Sequence, residues 1–228
     1  KTNSKNTAAV ILETIPATLG IFTPENDYLA KVAFLCKEQG ALLILDEVQT
    51  GFGRTGKMFA AQHYGLEPDL MCLAKSIAGG IPMGAVMIGE RVGELSSGIH
   101  GSTFGGNPLA AAASLVALDV LEAEALPQHA AEIGEYLLEK LQEINSPLIR
   151  EVRGLGLMLG IELKERATPF VQELMNRGVL ALTKTLALEL GRNNITALIM
   201  PYRTSSPENV KDARDLAAKL GIDAVTVD

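Results

Sequence analysis

Short apolar runs alternate with amphipathic stretches through the first half of the chain. Ala8–Leu12, Ala41–Leu45, Leu70–Ala74 and Gly84–Ile88 are rich in branched apolar residues, and each predicts a β-strand. Between the first two, Asn26–Gln39 reads as a helix that Gly40 ends. Strands separated by helices predict a largely parallel α/β sheet with both faces covered. An alanine-rich stretch from Asn107-Pro108 to about Glu124 predicts a further helix, and Pro127 opens another. In that second helix Ile133, Leu137, Leu141 and Ile144 fall at helical spacing. "IREVRGLGLMLGIELK" (149–164) reads as two short strands around a glycine turn, and residues 168–177 as a helix. The end of the chain predicts strand, helix and strand: Thr196–Met200, a helix from Ser206-Pro207-Glu208 to Gly221, then Ala224–Val227. The expected organisation is an α/β region over 1–125, a small α+β region over 126–182, and a strand–helix–strand tail over 183–228.

Composition adds limits. Of 228 residues 47% are hydrophobic and 21% charged, which provides for a folded core. A net charge of −7 with no Lys/Arg cluster argues against non-specific nucleic-acid binding. Cys36 and Cys72 sit singly in apolar surroundings, as buried free thiols do, and the three scattered histidines predict no metal site. The opening "KTNSKNTAAVILE" lacks the pattern of a signal peptide. Residues 95–118 carry no formal charge, but Gly, Ser, Asn and Pro interrupt them, so no membrane span is expected. A cytoplasmic location is the resulting expectation.

Candidate chemistry lies where strands end, because ligands of open α/β sheets bind at the carboxyl ends of strands. Asp46-Glu47 follows one apolar run, and charge there is costly unless something pairs with it. Lys75 follows "LMCLA", and "SIAGGIPMG" after it offers glycines for close approach of a ligand. A lysine in such a place can form an imine with a carbonyl compound. An acid held against a pyridine nitrogen keeps it protonated, the condition that makes pyridoxal phosphate an electron sink. Taken alone, each residue also has an ordinary role: a strand-end aspartate caps a loop, and a lysine is solvated.

The surrounding residues go further. "ALLILDEVQTGFGRTGKMFAAQHYGLEPDLMCLAKSIAGGIPMGAVM" resembles the core signature of class-III, fold-type-I aminotransferases, especially the acetylornithine and ornithine branch. "HGSTFGGNPLAAAA" (100–113) and "REVRGLGLMLGIELK" (150–164) match later blocks of that family in order. The resemblance covers about residues 7–182. It implies a partial PLP-transferase-type large domain and pyridoxal 5′-phosphate as cofactor. It also implies transfer of an amino group between an amino acid, such as acetylornithine or ornithine, and a 2-oxo acid such as 2-oxoglutarate. Lys75 would be the Schiff-base lysine and proton carrier, Asp46 the partner of the pyridine nitrogen, and Gln49 a neighbour of the ring's 3′-oxygen. Thr103, with Ser102 beside it, would reach the phosphate of a neighbouring subunit's cofactor, which implies a homodimer. "STFGGNP" also reads as a turn leading into a helix N-cap. Glu47 and Arg54 are expected to support the loop, and Arg153 to serve a turn or an interface.

Three departures from the family pattern shape the expectation. The resemblance starts in the middle of the large domain, without the Gly-Thr/Ser-Glu phosphate loop and the ring-stacking aromatic residue. "ETIPATLG" (13–20) keeps Glu13 but has Thr18 where the ornithine branch carries the glutamate that gates substrate carboxylate binding. Ala197 aligns with the family's substrate-binding arginine, and "ALELGRNNITALIMPYRTSSPENVKDARDLAAKLGID" (187–223) resembles part of NAD synthetase without that family's phosphate loop. The readings left open are a pyridoxal-phosphate aminotransferase, a non-catalytic chain with a structural role, and nucleotide binding through the tail.

Overall fold

The computed structural model describes residues 6–25 and 27–177, with the backbone of Thr196–Ile199 and Asp223–Thr226. The chain divides into two compact units, Lys1–Glu162 and Leu163–Asp228.

In the first unit four strands form one sheet in the order β1 (Ala9–Glu13), β2 (Leu42–Asp46), β3 (Leu70–Leu73) and β4 (Ala85–Ile88). The first three run parallel, with Glu13 opposite Asp46 and Asp46 opposite Cys72, and β4 returns antiparallel on β3. Connections explain the difference. β1 reaches β2 through helix α1 (Tyr28–Glu38), a crossover that parallel strands require. The link from β3 to β4 is one 3₁₀ turn, Lys75–Ala78, and a few residues, which is long enough only to reverse direction.

Strand periodicity puts the core on one side of this sheet. Ala41, Leu43 and Leu45 are buried while Leu42, Ile44 and Asp46 are half-buried. The buried row packs with Cys36 of α1, Met71, Leu73, Ile77 and Ala78, and helix α2 (Pro108–Ala123) adds Ala113, Leu118 and Leu121. The other face is open among the described residues. Ile11 is 64% exposed, and Val86 and Ile88 of β4 are exposed beside their register partners Cys72 and Leu70. The expectation of strands covered on both faces is therefore corrected to one covered face. No described element lies over Ile11; alternation in β1, β2 and β3 turns a second row of residues toward that face, while Val86, Met87 and Ile88 of the edge strand β4 are all exposed.

The amino ends of β2 and β3 are clasped by a buried acid. Asp69 Oδ2 accepts from Leu43 N at 2.7 Å and from Arg91 Nη1 at 2.9 Å, while Arg91 Nη2 donates to Ala41 O at 3.2 Å.

Helix α3 (Leu126–Gln142) packs on α2 and on β5 (Ile149–Leu155), which forms a hairpin with β6 (Met158–Leu163). The turn between those strands sits on the loop that follows β2, where Leu157 N donates to Arg54 O at 3.0 Å. α3 can approach because position 134 has no side chain: a Cβ on Gly134 would lie 2.2 Å from Gly156 O. Within the hairpin, Arg153 stacks 3.8 Å over the Phe22 ring and donates to Gly20 O at 3.0 Å. Glu162 receives Arg150 at 2.6 Å and Arg153 at 2.7 Å, so Arg153 ties the segment after β1 to the hairpin.

The second unit contains α4 (Thr168–Asn176) and two strands, β7 (Thr196–Ile199) and β8 (Asp223–Thr226), paired in parallel. The helix expected between those strands lies outside the described residues. Among the described residues no helix is long and apolar enough to cross a membrane.

Two outcomes test these contacts. Alanine ordinarily favours a helix over glycine by about 1 kcal/mol, whereas overpacking a tight contact costs about 3 kcal/mol. Gly134→Ala should therefore lower unfolding stability by about 2 kcal/mol in a urea titration. Glu162 is the second case. The hydrogen bonds from Arg153 and then Arg150 hold its carboxyl below the ordinary value of 4.5. A depressed carboxylate stabilises the fold above that value and loses its contribution as pH falls through the lower folded one. The stability gap between wild type and Glu162→Gln should thus be full near neutrality and close progressively as the pH is lowered below the ordinary value of 4.5.

Candidate active site

The register of the sheet lines up three side chains at the carboxyl ends of its parallel strands: Glu13, Asp46 and Cys72. Register partners in neighbouring strands point to the same face, here the open one. Asp46 thus continues the half-buried row of Leu42 and Ile44. Its Oδ1 accepts from Val48 N at 2.9 Å, so one oxygen makes the ordinary loop-capping bond expected of a strand-end aspartate. Burial raises the Cys72 thiol, and the nearby Asp46 carboxylate raises it further. Both cysteines are free. Glu13 accepts from Ala17 N and from Thr18 Oγ1, each at 3.1 Å. The residue at position 18 therefore acts as a donor to the acid that ends β1.

Lys75 follows β3 after Ala74. Its backbone adopts φ of +49°, the left-handed region that a lysine enters only at a cost. The residues after it form the single 3₁₀ turn Lys75–Ala78. Gln49 stands in the turn that follows Asp46 and Glu47. Asp46, Gln49 and Lys75 are thus carried to one end of the sheet by adjacent strands.

Ser102 and Thr103 are placed differently. Both are exposed in the turn before α2, where Ser102 O accepts from Gly105 N at 3.2 Å. The α2 cap is made by Asn107, whose side chain accepts from Ala110 N at 2.9 Å and donates to Phe104 O at 3.0 Å. No hydrogen bond joins Ser102 or Thr103 to the strand ends among the described residues. An open apolar groove of about 700 Å³ runs beside the Lys75 turn, lined by Phe52, Ser76, Ile81, Leu109, Val116 and Val120. It holds no charged residue, so it suits apolar contact rather than an anion.

Glu47 is the residue whose importance sequence reasoning understated. It is 0% exposed, and all its acceptor capacity is engaged. Oε1 accepts from Thr14 Oγ1 at 3.0 Å and from Ala61 N at 2.7 Å. Oε2 accepts from Thr50 Oγ1 and from Ala60 N. The signal was present: Ala41, Leu43, Leu45 and Glu47 are every second residue, so Glu47 extends the buried row by one step. Arg54 is exposed and lends its carbonyl to the hairpin turn.

Comparison with known proteins places the chain in a family. The sequence profile of the family "Aminotransferase class-III" matches residues 1–202. The [LysW]-aminoadipate semialdehyde transaminase of Deinococcus radiodurans is 48% identical over 184 residues, which are 80% of this chain and 43% of that protein. The ornithine aminotransferase of Bacillus subtilis is 46% identical over 177 residues, 77% of this chain and 44% of its own. An amine transaminase from an uncultivated Pseudomonas species, solved in a PLP-bound form, superposes with a TM-score of 0.73 at 36% identity. That match covers 78% of this chain and 46% of the other. The chain spans less than half the length of these relatives, and its sheet and helices are part of a PLP-transferase fold. It belongs to the class-III aminotransferases.

Proposed function

We propose that the chain supplies the lysine and acid of a pyridoxal-phosphate site. The reaction it serves is transfer of an amino group from an amino acid of the ornithine or acetylornithine type to 2-oxoglutarate. One observation carries the reading. Asp46 and Lys75 leave adjacent parallel strands at their carboxyl ends, and the lysine backbone is held in a conformation that lysine disfavours. Strain of this kind persists where the surroundings over-determine it, and it concentrates at functional sites. The donor set fits the cofactor: an amine for its aldehyde and a carboxylate for its ring nitrogen.

When bound, the cofactor supplies an electron sink for charge that develops at a substrate α-carbon. The rest is work for this chain's residues. Lys75 Nζ would hold the group covalently and serve as the proton carrier. Asp46 would keep the ring nitrogen protonated by its charge. Gln49 would sit near the ring's 3′-oxygen. Ser102 and Thr103, exposed on their turn, would serve the phosphate of a second subunit's cofactor; in this reading the working form is a homodimer, and the expected location is the cytoplasm. Thr18 cannot bring a carboxylate charge to substrate binding, and its hydroxyl is already donated to Glu13. The nucleotide reading of the tail falls largely outside the described residues.

Borohydride reduction of the chain mixed with pyridoxal phosphate should leave one saturable pyridoxyl adduct, found on Lys75 by peptide mass and lost in Lys75→Ala. Asp46→Asn should weaken cofactor binding by roughly tenfold or more, the worth of a charge-assisted hydrogen bond. Absence of a saturable adduct would favour the structural role instead. The backbone strain has its own consequence. Both Lys75→Gly and Lys75→Ala remove the amine, but only glycine relaxes at positive φ. Lys75→Gly should therefore be the more stable of the two by about 1 kcal/mol in chemical denaturation.

A further inference from the structure

The sheet carries two buried carboxylates at its opposite ends, and they do different jobs. Asp69 closes the amino ends of β2 and β3, where the candidate chemistry has no residue. Glu47 sits at the carboxyl ends, one residue after Asp46, and its side chain bonds three separate segments at that end of the sheet. Thr14 directly follows β1, Thr50 belongs to the turn holding Gln49, and Ala60 and Ala61 open the 3₁₀ turn Ala60–His63. The Glu47 backbone adds a fourth connection: its N–H donates to Cys72 O at 3.0 Å, three residues before Lys75. Its own carbonyl accepts from Gly51 N at 2.9 Å and so closes the turn over Val48-Gln49-Thr50.

We propose that Glu47 is the positioning residue of the pyridoxal-phosphate site, fixing Asp46 and Gln49 relative to Lys75 from the buried side of the sheet. The inference rests on the function proposed above. Adjacent residues at a strand end point to opposite faces, so Glu47 can anchor the backbone at Asp46 without occupying any of the space that Asp46 faces. All four of its partners are donors, which makes the requirement for two acceptor oxygens strict. A glutamine would keep one oxygen and put an amide N–H₂ against the remaining donors. Either threonine hydroxyl can turn, but a backbone N–H of Ala60 or Ala61 cannot, and one of them would be left unpaired in a dry interior. The backbone of the 46–50 turn then has to move to relieve the contact, and Asp46 and Gln49 move with it.

The test compares Glu47→Gln with Asp69→Asn in the full chain, using pyridoxal phosphate as the probe. For each variant the melting temperature, the cofactor Kd by absorbance titration and the extent of borohydride-trapped adduct on Lys75 are measured. Glu47→Gln should raise the Kd by about tenfold or more, the loss expected when a buried charge-assisted network is broken. Asp69→Asn should lower the melting temperature while leaving the Kd within about twofold of wild type. Thr14→Val removes a single donor and keeps the volume, so it remains informative if Glu47→Gln does not fold. It should raise the Kd by about threefold or more. Equal Kd changes in the Glu47 and Asp69 variants, in step with their loss of stability, would show Glu47 to be structural only and overturn the proposal. An unchanged Kd in Thr14→Val and Glu47→Gln overturns it as well. A wild-type chain that takes no adduct on Lys75 overturns the proposed function itself, and this inference with it.

Discussion

A carboxylate with no access to water must find its hydrogen bonds within the fold, and at Glu47 that demand organises the end of the sheet. Two threonine hydroxyls and two backbone N–H groups converge on it from three separate segments, Thr14 lying 33 residues away in sequence. None of those segments is regular enough to hold its place by strand or helix pairing alone. The acid therefore does for the connecting loops what the parallel ladder does for the strands. Asp46 adjoins Glu47 itself, Gln49 adjoins Thr50, and Lys75 lies three residues beyond Cys72, whose carbonyl accepts from the Glu47 N–H.

Much of the fold was legible in the sequence because its elements are locally consistent. The apolar runs at 42–46, 70–73 and 85–88 lie within a residue or two of the expected strands, and the long helices start at Pro108 and one residue before Pro127, the prolines that marked them. Asp46 and Lys75 stood out since charge at the end of an apolar run is rare without a reason. What was not legible was relational. Nothing in "DE" says which acid is buried until the alternation is counted from Ala41, and nothing says that Thr14 is its partner across 33 residues. The open sheet face was also hidden, because an apolar run looks the same whether its second side is covered or not. Ser102 and Thr103 matched a family block, yet that block gave no information about where the turn before α2 lies relative to the strand ends.

Lys75 and Gly134 show two ways in which the chain accepts local cost. At Lys75 a side chain is kept where the backbone would prefer glycine, and in the proposed reading the amine is what outweighs the strain. At Gly134 a side chain is given up within a helix so that α3 can reach the hairpin turn. Local preference is overridden in opposite directions, by keeping a side chain at one position and giving one up at the other.

The clasp of Asp69 and Arg91 gives the sheet a different property at its other end. It holds the amino ends of two central strands through a carboxylate, a guanidinium and backbone groups, all independent of whatever the carboxyl ends bind. A sheet secured there can accept substitutions in the loops at the opposite end with little effect on the pairing of its strands. Position 18, where the resemblance led to the expectation of a glutamate, lies at that opposite end, bonded to the acid that closes β1. The separation gives such a scaffold evolvability: the residues that select a substrate can drift while those that keep the strands in register stay in place.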